Sequence, residues 1–133
     1  MPQSTVSCEP LEVTCKAIVK AGDGICRWEW DDHLQTALTT VDTADCSTMH
    51  SLLEQAFPYH WDVKTVTSVP QPVAELLSML GGLRNSQELF TGNAEHNALV
   101  FAAWWPWNNG QSVSVRIGTT DPSQATLRRC FGL

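Results

Sequence analysis

The sequence predicts an α+β fold: a mostly antiparallel sheet of about six strands, including two hairpins, with three helices on one face. The predicted order is β-β-β-α-β-α-β-β-α. Three observations lead there. Hydrophobic residues make up 43% of the 133 positions, enough for a core. Two Gly-containing turn signals, Asp23-Gly24 and Asn109-Gly110, each sit between alternating runs. Met49, Leu52, Leu53, Ala56 and Phe57 fall on one stripe of period 3.6.

The elements follow in order. Residues 11–20 and 25–30 read as a hairpin around Gly22-Asp23-Gly24. Val13, Cys15, Ala17 and Val19 would share its buried face with Cys26, Trp28 and Trp30. Asp31, Asp32 and His33 form a turn, and the Thr-rich run 34–41 reads as a third strand. The helix carrying Met49 to Phe57 takes Asp45 or Ser47 as its N-cap and stops at Pro58. Residues 61–69 alternate as a strand that ends at Pro70. A second helix begins with Pro72 at its first position and ends at Gly81-Gly82, with Val73, Leu76, Leu77 and Leu80 inward. Residues 84–97 read as a polar loop holding one helical turn, capped by Asn85 with Glu88 at N3.

The second hairpin, 98–107 and 111–119, has the strongest signal, because Asn-Gly suits a two-residue turn with positive φ. With Asn109 and Gly110 in the turn, Ala102 opposes Ile117, Trp104 opposes Val115 and Pro106 opposes Val113. That side belongs to the core, so Trp104 is expected to be more buried than Trp107. A last helix starts at the Asp121–Gln124 capping box, with Leu127, Cys130 and Phe131 inward.

Residues 1–133 are expected to be a single globular domain, with 1–9 as a flexible tail. Eight basic and fourteen acidic residues give a net charge of -6, which argues against nucleic acid as a partner. No apolar run reaches the roughly 18 residues of a membrane span, and residues 1–10 carry no secretory signal. A cytoplasmic location with reduced thiols is the corresponding expectation. Cys8, Cys15, Cys26, Cys46 and Cys130 are odd in number and lack a CxxC pair.

Trp105 and Trp107 fall on the side of the second hairpin where the opposing strand is polar, with Arg116 diagonal to Trp105. Aromatic and Arg side chains together are characteristic of protein interfaces. The sequence therefore favours a non-catalytic module of inhibitor, immunity, chaperone or adaptor type, docking a protein partner through Trp105, Trp107 and Arg116. The abundance of tryptophan, six in all, adds the expectation of a homodimer. The alternative is a small thiol-dependent enzyme or ligand-binding protein, with Cys46 at a helix start and His50 one turn later as its base. No third orienting group can be assigned, so binding is preferred to catalysis. No cofactor and no metal site are expected: His50, His60 and His96 are scattered, and neither HExxH nor EF-hand spacing occurs.

Overall fold

The computed structural model describes residues 9–92, 99–107, 110–120 and 124–133. The expected N-terminal tail and the Asp121–Gln124 cap lie almost wholly outside those residues. The fold is α+β, built on a six-stranded antiparallel sheet. Helix α1 (Glu9–Ala21) leads to strands β1 (Glu29–Asp31) and β2 (Thr36–Asp42), then helix α2 (Thr43–Ala56). Strand β3 (Tyr59–Trp61) precedes a 3₁₀ turn (Val66–Ser68) and helix α3 (Gln71–Leu80). Strands β4 (Glu88–Thr91), β5 (Val100–Pro106) and β6 (Ser112–Thr119) and helix α4 (Gln124–Cys130) complete the chain. The sheet order is β1-β2-β6-β5-β4-β3, with every neighbouring pair antiparallel.

Side-chain alternation divides this sheet into two faces. On one, Ala37, Val41, Ala102, Trp104, Val115 and Ile117 pack with Cys15 and Ile18 of α1, Met49 and Leu53 of α2, and Leu127 of α4. On the other, Leu89 and Phe101 pack with Val73, Leu76 and Leu77 of α3. The helices thus occupy both faces, not one, and α3 is short enough to cover only the β3–β4–β5 side of its face. The placement of α3 follows from its chain position, since it must bridge β3 and the neighbouring β4.

The first predicted hairpin is replaced by α1. Residues 13, 15, 17 and 19 alternate, but Cys15, Ile18 and Gly22 also recur at helical spacing, and the helical pattern prevails. Cys15 and Ile18 are fully buried, whereas Val13 is 63% exposed. Glu12 and Lys16 pair across one turn at 3.7 Å. Gly22 closes the helix: its N–H reaches the Ile18 carbonyl at 2.9 Å, and a Cβ there would lie 3.0 Å from Cys26 Sγ. Gly24 then adopts φ +86°, a left-handed conformation that Gly accepts without strain. Trp28 consequently packs on Phe131, with centroids 4.8 Å apart, and Trp30 lies beneath Arg128.

Two further expectations are corrected by local side-chain chemistry. The strand expected over 61–69 ends at Trp61, because Asp62 Oδ1 accepts the N–H groups of Lys64 at 2.9 Å and Thr65 at 3.2 Å. Those bonds commit the backbone to a turn. The expected helical turn over 86–90 is instead the start of β4. Arg84 N–H bonds Gln87 Oε1 at 2.8 Å and Ser86 takes φ +74°, so the Asn85/Glu88 pattern marks a turn entering a strand. Helix α2 also begins earlier than predicted: Asp42, not Asp45 or Ser47, occupies the N-cap position, without a side-chain capping bond.

The second hairpin has the register that the sequence predicts. Ala102 opposes Ile117, Trp104 opposes Val115, Trp105 opposes Ser114 and Pro106 opposes Val113. Gly110 has φ +71°, and the Trp107 N–H meets the Ser112 carbonyl at 2.8 Å. Asn109 lies outside the described residues. Trp104 is 6% exposed and Trp107 47%, the order expected.

Candidate functional site

Among the described residues, no helix covers the continuation of the α3 face over β2, β6 and the outer end of β5. Trp105, Ser114, Arg116, Leu38 and Thr40 point to this side, followed by Trp107 at the hairpin end. The opposite parity of each strand lies in the helix-covered core, so the arrangement follows from the hairpin register. Arg116 Cζ sits 5.1 Å from the Trp105 ring centroid, a cation–π arrangement. The same guanidinium donates to Asp31 Oδ2 across β2, and its Nη1 is 3.4 Å from Thr36 Oγ1. Trp107 Nε1 donates to Ser114 Oγ at 2.8 Å, which lays the indole along the sheet. Glu29, Asp31 and Asp42 share this face by alternation, Glu29 and Asp42 being exposed. Burial pulls the Asp31 pKa up, but the hydrogen bonds from Arg116 and the His33 backbone, with the Arg116 charge, bring it below 3.8.

Trp105, Trp107 and Arg116 are therefore neighbours on one face of the sheet, with Trp107 the exposed member. Trp105 Nε1 and Arg116 Nε are buried and have no hydrogen-bond acceptor among the described residues; Trp30 Nε1 shares that state on the other face. Buried donors of this kind are uncommon in folded chains, and two of the three lie on this patch.

Cys46 and His50 lie one turn apart on α2, and the hydrogen bonds of each go to other groups. Because the helix starts at Thr43, Cys46 is its fourth residue, past the exposed first-turn N–H groups that stabilise a thiolate. Its sulfur faces the Val41 carbonyl at 4.0 Å. Burial and the charges of Asp42 and Asp45 raise its pKa from 9.0. The four described cysteines, Cys15, Cys26, Cys46 and Cys130, are free thiols with raised pKa values.

His50 instead belongs to a different cluster. Its Nε2 lies 2.8 Å from Glu88 Oε1, and His60 Nε2 contacts the same oxygen. His50 Nδ1 is 3.4 Å from Glu54 on the next helical turn. His60 stacks on Phe90 at 4.6 Å and 16°, while His50 meets Phe90 and Trp104 edge-on. Three elements, α2, β3 and β4, thus bring two imidazoles and a carboxylate to one point. Their ligand atoms lie within 4.8 Å of one another, the spacing a metal ion could span. The sequence does not announce this group, because Asn85 and Glu88 carry the pattern of a helix cap and so predict a helical turn there. The apolar Leu89-Phe90 followed by Thr91 was the available signal of a strand there. His96 lies outside the described residues.

Comparison with protein-family models, curated proteins and solved structures gives no match. No helix among the described residues is long and apolar enough to cross a membrane.

Proposed function

We propose that this chain is a non-catalytic protein-binding module whose docking face is the uncovered half of the sheet around Trp105, Trp107 and Arg116. The observation that carries this reading is the exposed Trp107, 47% accessible, beside a half-buried Trp105 and an Arg already neutralised by Asp31. With Arg116 paired, the other formal charges on that face among the described residues are the exposed carboxylates of Glu29 and Asp42. A net charge of -6 adds a long-range field of the same sign. The partner that fits is a basic protein segment: its cations meet these carboxylates and the indole face, and its apolar side chains cover Leu38 and Trp107.

The test is a two-dimensional NMR titration of the full chain with a synthetic Lys/Arg- and Leu-containing peptide, against an acidic peptide of matched length. Shifts confined to Leu38, Thr40, Ser114, Arg116 and the Trp105 and Trp107 indoles, with the basic peptide only, are the expected result. Equal response to both peptides, or shifts centred on α2 and α4, overturns it. The same resonances moving with protein concentration alone would put a second copy on this face in place of a basic partner.

A further inference from the structure

We infer that His50, His60 and Glu88 form a binding site for a divalent transition-metal ion of the zinc class. The ligand set is two imidazole nitrogens and one carboxylate oxygen, the donor types that zinc and neighbouring metals accept. Each ligand comes from a different element, so the site is assembled by the tertiary fold, which explains why no sequence motif announces it. The rings are already oriented: Phe90 supports His60 by stacking, and Phe90 and Trp104 flank His50. Glu54 beside His50 Nδ1 supplies the outer carboxylate that commonly fixes the tautomer of a ligating histidine, leaving Nε2 to bind.

The dimensions permit the ion. Ligand atoms around tetrahedral zinc at about 2.0–2.1 Å are about 3.3 Å apart. The 2.8 Å separation of His50 Nε2 and Glu88 Oε1 opens by about 0.5 Å to reach that spacing, the tighter His60–Glu88 contact opens further, and no ligand pair lies more than 4.8 Å apart. His60 is 40% exposed on its side chain, so the group is reachable from solvent. Three protein ligands leave a fourth position for water or for a group brought by another molecule.

The experiment titrates the full-length reduced protein with CoCl2, followed by displacement with ZnCl2, using visible absorption. The expected result is a one-to-one complex with the d–d bands of a low-coordinate nitrogen and oxygen site, reversed by zinc. His60→Gln and Glu88→Gln should each weaken binding by about tenfold or more with far-UV circular dichroism unchanged. If one variant fails to fold, the other decides alone, since each removes a single ligand. Absence, at millimolar cobalt, of any d–d absorption beyond that of the aqueous ion overturns the assignment. So does a spectrum unaltered in the folded variants, or a near-ultraviolet thiolate charge-transfer band, which would give the metal to the cysteines.

Discussion

Gly118 shows how closely single residues set this sheet. It lies opposite Phe101, and a Cβ there would fall 2.5 Å from Phe101 Cζ and 2.9 Å from Thr36 Cγ2. The absent side chain is what lets the Phe101 ring lie across β6 and join the α3 core. Gly118→Ala should destabilise the fold by about 1–3 kcal/mol, read as a lower urea midpoint with the slope unchanged. Cys15 gives a second residue-scale expectation. Burial, aided by Cys130, pushes its thiol from 9.0 up to about 12. The folded state keeps a proton that the unfolded chain releases, so this contribution is complete below pH 9 and is lost as pH rises toward 12. The urea midpoint should therefore fall across that alkaline window, and less so in Cys15→Ala. A midpoint that falls equally in both proteins would contradict the assignment.

Strand β1 has only three residues and lies at the edge of the sheet, where ladder bonds alone hold it weakly. Arg116 compensates by reaching from β6 across β2 to Asp31, with Thr36 beneath the guanidinium. Arg116→Met should leave Asp31 without its cation and speed amide exchange in β1 and β2 while β4 to β6 keep their protection. Because the pKa of Asp31 is held below 3.8, the ion pair contributes above that pH and is lost as acid protonates the carboxylate. The wild type should approach the exchange behaviour of the variant only in acid below that ordinary value. Equal protection of β1 in both proteins at neutral pH would show that the bridge does not hold the edge.

Element by element, the legible parts of the chain were those with one dominant signal. The Asn-Gly turn and the alternation on either side specify the β5–β6 register residue by residue. The stripe from Met49 to Phe57 specifies α2, and Pro72 with Gly81-Gly82 brackets α3. Where two patterns overlapped, the sequence was ambiguous. Residues 13–19 satisfy a period of two, and Cys15, Ile18 and Gly22 a period near 3.6; only packing against α2 and α4 selects between them. Asn85 and Glu88 resemble a helix cap, yet a turn followed by Leu89 and Phe90 buries more apolar surface as a strand. The grouping of Trp105, Trp107 and Arg116 was readable because one hairpin carries all three. His50, His60 and Glu88 were not, since their proximity depends on three elements meeting.

At the scale of the whole molecule, the two candidate sites sit on opposite faces of the sheet. The Trp105–Trp107–Arg116 patch lies on the half that α3 leaves open, and the histidine cluster lies beside α2 over β3 and β4. No side chain belongs to both, so substitutions at one should be nearly additive with those at the other. Most of the tryptophans have internal employment: Trp28 on Phe131, Trp30 under Arg128, Trp61 hydrogen-bonded to Thr91 at 3.0 Å, and Trp104 in the core. Trp107 is the tryptophan whose surface is substantially exposed, and this concentrates the docking proposal on one indole.

The most direct measurement is the affinity of a fluorescently labelled basic peptide for the wild type, Trp107→Ala and His60→Gln, by anisotropy at fixed ionic strength. Removal of the Trp107 indole should weaken binding by about tenfold, on the order of 1.4 kcal/mol, while the far-UV spectrum and urea midpoint stay near wild type. His60→Gln should leave the affinity unchanged. Equal affinity for the wild type and a folded Trp107→Ala, or a loss produced by His60→Gln instead, would contradict the account.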